Sequence, residues 1–163
     1  MHENELYHYG VKGMKWGVIR KRHIDRRLAR KQEANETLTK KAAKYDLKSS
    51  KRIRKNIKKG YEGYALMPTN KSAKLNVKAA RLEKKSLKLD ENSSKYLHVK
   101  KKAAKKRLKA MRSMNVSDFA TRRDYKYSIK AAKARYKIEK NNLKISSLDR
   151  KSVELGRELL ADE

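Results

Sequence analysis

Apolar residues in this chain recur at alternating spacings of three and four, the period that lines one side of an α-helix. From residue 19 to about residue 59, Ile24, Leu28, Lys31, Asn35, Leu38, Ala42, Tyr45 and Ser49 fall on one stripe, and Ile53 and Ile57 continue it after a small shift. Residues 71–114 carry a seven-residue series, Leu75, Leu82, Leu89, Tyr96, Ala103 and Ala110, widened by Ala79, Leu97, Ala104, Leu108 and Met111. Within it, Asp90-Glu91-Asn92-Ser93-Ser94 is a polar interruption where a helix kinks or restarts. Over 115–163 the four-three alternation is strict, at Ala134, Ile138, Asn141, Ile145, Leu148, Ser152, Leu155 and Leu159, which makes this the best coiled-coil stripe in the chain.

The punctuation fits these segments. Gly60, Gly63 and Pro68 mark 60–70 as a linker, with Thr69 or Asn70 placed to cap the next helix. Ser117 is the expected N-cap of the last segment, with Asp118 and Asp124 near its positive dipole end. The pattern predicts an all-α, elongated protein: about three long amphipathic helices in a coiled-coil-like or loose bundle, preceded by a non-helical peptide over 1–18. The last helix is expected to pack on another helix, either of the same chain or of a second copy, so a homo-oligomer is one expectation.

Composition narrows what these stripes can bury. Hydrophobic residues make up 37% of the chain and charged residues 40%, so only thin apolar seams are available. The net charge of +29 points to polyanionic partners, with nucleic acid first, anionic membrane second and acidic protein surfaces third. Its distribution is uneven. Residues 19–60 hold 17 Lys+Arg against 4 Asp+Glu, and 71–114 hold 16 against 3, each a net +13; residues 115–163 hold 12 against 8, a net +4. The densest run lies at 100–109, where Lys100, Lys101, Lys102, Lys105, Lys106, Arg107 and Lys109 form the candidate polyanion-binding patch. Membrane binding is the weaker reading, because Ala, Ser and Asn dilute the apolar faces.

Catalytic chemistry finds little support. Cysteine is absent, and His2, His8, His23 and His98 include no pair at the i, i+4 spacing of a helical metal site. The N-terminal glycines lack the form of a phosphate-binding loop, and the few carboxylates mostly lie beside lysines. The expectation is a non-enzyme with no cofactor and no metal. No apolar run approaches a membrane span and no secretory leader is visible, so the protein is expected in a cytoplasm or in a particle assembled there.

Residues 1–18 stand apart. They are electrically neutral, yet hold three of the six glycines, the only tryptophan, and Tyr7, Tyr9, Val11, Met14 and Val18. A Gly-punctuated aromatic peptide suits a groove on a partner, with Met14 and Trp16 as anchors. The order Tyr7, His8, Gly10, Lys12, Gly13, Met14, Lys15, Trp16, Gly17, Arg20 resembles a short motif near an end of many proteins encoded by tailed bacteriophages and prophages of Gram-positive bacteria. Tyr9 replaces a frequent histidine and Ile19 a frequent second arginine. The resemblance covers about 14 residues and leaves the body unrecognised. Its carriers include head-assembly and other virion-associated proteins, so it implies a setting, either the virion or the host bacterial cytoplasm.

The joint expectation is a virion-associated structural or accessory protein. Its N-terminal peptide docks to a phage structural protein, and its basic helical body binds nucleic acid without sequence preference. The alternatives are a scaffold or assembly factor for an acidic protein surface, and a host-directed effector delivered with the genome.

Overall fold

The computed structural model of the chain describes residues 16–59, 66–91, 93–116 and 125–161. Among them are four helices, α1 (Trp16–Ile57), α2 (Asn70–Ser86), α3 (Ser94–Arg112) and α4 (Lys126–Ala161), with two short strands, β1 (Leu66–Met67) and β2 (Asn115–Val116). The helical class follows the periodicity, but the expected single helix over 71–114 is two. Its polar interruption is a full restart. The N–H groups of Leu87, Lys88 and Leu89 donate to the carbonyls of Glu83, Lys85 and Ser86, tightening the end of α2. Ser93 then caps α3, accepting from the Tyr96 N–H at 3.1 Å and donating to the Asp90 carbonyl.

Two other boundaries shift. Helix α1 begins at Trp16, so the last residues of the expected non-helical peptide are helical. Residues 115–116 form β2, and α4 starts only at Lys126. The expected cap Ser117, with Asp118 and Asp124, lies outside the described residues.

The chain divides into two compact units, one made of residues up to 33 together with those from 144 onward, the other of 34–143. In the larger unit, α2 and α3 form a hairpin. Strands β1 and β2 close its base as an antiparallel pair, Leu66 opposite Val116 and Met67 opposite Asn115. Thr69 adds a further tie: its Oγ1 accepts from the Ser72 N–H at 3.0 Å as the N-cap of α2 and donates to the Ser113 carbonyl at 2.8 Å. All three cross-pairs are symmetric about residue 91, the middle of the turn.

Apart from Leu108, small side chains occupy the buried positions of the hairpin. Ser72, Ala79 and Ser86 are buried on α2, and Ala103, Leu108 and Ala110 on α3. Both serine hydroxyls donate to carbonyls three residues back, at Thr69 and Glu83, so their burial leaves no donor unsatisfied.

The same unit holds a second helix pairing, between α1 and α4, so the last helix packs on another helix of the same chain. Here the stripe positions are partly polar. The Asn35 amide donates to Asn142 Oδ1 at 2.7 Å, and the Asn141 amide donates to Asn35 Oδ1 at 3.0 Å. Ser49 and Ser128 share a hydrogen bond of 2.6 Å, and Arg135 pairs with Asp46 at 2.6 Å. Ala42, Ala131 and Ala134 are buried alongside.

Candidate nucleic-acid interface and N-terminal motif

Of the ten motif residues singled out in the sequence, Tyr7, His8, Gly10, Lys12, Gly13, Met14 and Lys15 lie outside the described residues. Trp16, Gly17 and Arg20 occupy the first turns of α1. Glycine disfavours helix, but Gly17 sits in one for a packing reason: a Cβ there would meet Leu159 Cδ2 at 2.7 Å. The glycine thus lets α4 approach α1 closely. Trp16 remains 40% exposed, with the Arg20 guanidinium 5.8 Å from its ring centroid. Beside them opens a groove of about 510 Å³ lined by Trp16, Ile19, Ile24 and Leu155, with Lys151 and Glu158 at its margin.

In the same unit the Asp25 carboxylate accepts from Ser152 Oγ and pairs with Lys21 at 3.2 Å. The serine hydrogen bond, followed by the lysine, holds its pKa below the ordinary value despite some desolvation.

All seven residues of the candidate polyanion patch lie on α3, but the helix distributes them around its circumference. Lys102, Lys105 and Lys109 are exposed, and Lys101 and Lys106 are half-buried on its flanks. Arg107 is committed elsewhere: its Nε and Nη2 donate to the two carboxylate oxygens of Glu83 at 3.1 and 2.7 Å. The geometry follows from the way helical side chains lean toward their own N-terminus. Glu83 stands one turn after buried Ala79 and Arg107 one turn after buried Ala103, so the pair closes over the alanines. Lys100 has its Nζ 5.3 Å from the Tyr96 ring centroid and acts electrostatically on both Glu83 and Glu139.

These residues belong to a cavity of about 510 Å³ lined by Glu83, Lys100, Arg107, Met111, Arg135 and Glu139, among others. Its two carboxylates behave oppositely. The Arg107 hydrogen bonds hold Glu83 below the usual glutamate value, whereas burial pushes Glu139 up, an effect partly offset by Lys100 and a hydrogen bond with Asn142.

The run at 100–109 therefore splits between exposed and engaged side chains, and exposed cations lie elsewhere on the hairpin as well. Helix α3 contains no acidic residue and α2 only Glu83. Exposed lysines recur every seven residues on both helices, at 71, 78 and 85 and at 95, 102 and 109. That spacing is visible in the sequence, running four residues ahead of the apolar heptad on α2 and one residue ahead of it on α3.

Two of the described tyrosines, Tyr45 and Tyr127, have their ring faces occupied. Tyr45 and Tyr127 stack with centroids 6.2 Å apart, and Lys130 lies over the first while Lys48 and Arg52 lie over the second. Among the described residues no group of His, Asp or Glu is placed to hold a metal ion, and no helix is long and apolar enough to cross a membrane.

A model of a family of unknown function, DUF7211, matches residues 1–23. No curated protein and no solved structure matches the chain.

Proposed function

We propose that this chain is a virion-associated accessory protein of a tailed phage or prophage. Its N-terminal peptide docks to a phage structural protein, while its helical body holds nucleic acid through non-specific phosphate contacts. It works without catalysis or cofactor, in the virion or the host cytoplasm. The observation that carries the reading is a division of charge along the chain. A neutral, aromatic segment over 1–18, lying within the stretch 1–23 matched by a family model, joins a helical body whose first two basic stretches, 19–60 and 71–114, each carry a net +13. Neutrality suits recognition of a protein surface; a lysine-rich exterior suits a polyanion and counterion release.

The test has two arms. Residues 1–23 fused to an unrelated soluble protein should carry it into purified particles, and the Trp16→Ala fusion should not; exclusion of the wild-type fusion overturns the docking role. The full chain should shift duplex DNA in a gel at low salt and release it at moderate salt. Absence of a shift even at low salt transfers the body to the acidic-protein scaffold reading.

A further inference from the structure

We propose that the side of the α2–α3 hairpin turned away from α4 is a grip for the sugar-phosphate backbone of double-stranded nucleic acid, built by two parallel rows of lysines. Lys71, Lys78 and Lys85 form the row on α2, and Lys95, Lys102 and Lys109 the row on α3. This inference rests on the polyanion reading of the body. It goes further by saying which of the 47 cations act and on which form of nucleic acid.

All six lysines are exposed. Their direction follows from helical geometry. At about 100° per residue, the α2 row lies roughly 150° around its helix from Asn76 and Glu83, and the α3 row roughly 160° around from Lys100, Arg107 and Met111. Those residues line the cavity shared with α4. Both rows therefore face the opposite way, on one side of the hairpin. Each spans about 21 Å, and packed helices stand about 8–10 Å apart, so the rows are separated by a distance close to the roughly 12 Å width of a major groove. With flexible lysine stems, each row reaches the phosphates of one strand.

Three features select this partner. No carboxylate interrupts the rows: α3 has none, and the one on α2, Glu83, is held by Arg107 on the cavity side. Single-stranded chains are held by exposed aromatic platforms, but α2 has no aromatic residue and Tyr96 of α3 is half-buried under Lys100. All six row residues are lysines, point charges without the planar fork that reads guanine edges, so the grip has no sequence preference.

The test compares three full-length variants by fluorescence anisotropy on a random-sequence duplex of about two helical turns, across a range of salt. Changing all six row lysines to glutamine should weaken duplex binding by about 100-fold at moderate salt. It should also make the log–log salt dependence shallower by about 5, from roughly 0.9 for each phosphate no longer neutralised. Six lysines of α1 and the residues just after it, Lys40, Lys41, Lys44, Lys51, Lys55 and Lys58, are also exposed. Changing these to glutamine removes the same charge and should leave binding within about five-fold of wild type. Changing the row lysines to arginine should preserve affinity. Far-UV circular dichroism must show wild-type helicity in all three, as expected for exposed helix positions where Lys, Gln and Arg have similar propensities.

Equal losses from the two glutamine variants overturn the grip while leaving the polyanion reading in place. Equal or tighter binding of the corresponding single strand overturns the assignment to a duplex. Wild-type protein that binds neither form at the lowest salt overturns both the grip and the reading beneath it.

Discussion

Two helix pairings in the larger unit reach specificity by different means. The α2–α3 hairpin is local: its strands, cap and buried alanines are all symmetric about one turn, and its serine hydroxyls satisfy themselves within their own helices. The α1–α4 pairing joins residues far apart in sequence, and polar groups that bond across it, Asn35 to Asn141 and Asn142 and Ser49 to Ser128, mark which turn meets which. The hairpin is defined by size and turn chemistry. The long-range pairing is defined by complementary polar rungs, the role that a buried asparagine plays in setting register between coiled helices.

The largest effect should come from challenging size in the hairpin. Ala79 is fully buried, at 0% exposure, so Ala79→Leu should cost about 1–3 kcal/mol through overpacking, read as a lower urea midpoint with an unchanged slope. A neutral result would mean that close approach does not define this pairing.

The corresponding challenge to α1–α4 is Asn35→Ala, which removes the partner of both Asn141 and Asn142 in a half-buried seam. The expected cost is about 1–2 kcal/mol. Leucine at all three positions should recover that stability or exceed it, because apolar packing replaces a polar network. It should lose uniqueness of register, seen as doubled amide resonances. A single set of resonances in the triple variant would refute the register role of the rungs.

The caps offer a smaller test. Thr69→Ala removes both the N-cap of α2 and the bond to the Ser113 carbonyl, for about 1 kcal/mol. Hydrogen exchange should report the loss at the base of the hairpin, with amides around Ser113 and Asn115 opening along with those of the first turn of α2.

These contrasts explain what could be read in advance. The four-three stripes located Asn35, Ser49, Asn141 and Ser152 correctly as interior-facing positions, since spacing sets the face. They did not identify partners, because Asn35 meets Asn141 and Asn142 only through tertiary structure. The split between α2 and α3 was masked because Leu89 and Tyr96 are seven residues apart, so the apolar heptad keeps phase through a chain reversal. The polar run at 90–94 carried the signal of a kink or restart without deciding between them.

Gly17 argues against helix by propensity, yet it stands in α1 where Leu159 occupies the space a Cβ would take, a packing reason for glycine with no local trace. The basic run at 100–109 was plain, but the inward turn of Lys100 and Arg107 depends on Glu83 and Glu139, which belong to other helices.

Those two glutamates give the smallest effects and a difference in sign. They line one cavity, with Glu83 held below its ordinary pKa by Arg107 and Glu139 raised by burial. A depressed carboxylate contributes stability above the unfolded value of 4.5 and loses it as pH falls through the folded value. Glu83→Gln should therefore destabilise at neutral pH, and the difference from wild type should vanish in acid. With side chains 43% and 49% exposed, screening limits the Glu83–Arg107 contribution to about 0.5 kcal/mol.

For Glu139 the native state holds its proton more tightly than the unfolded chain does, so stability falls as pH rises from 4.5 toward the raised native value. Glu139→Gln should consequently stabilise at neutral pH and match wild type in acid, where the native glutamate is protonated and nearly isosteric with glutamine. Urea midpoints of the two variants across this range should diverge from wild type in opposite directions as pH increases. Divergence in the same direction would show that burial and the arginine do not govern the two carboxylates separately.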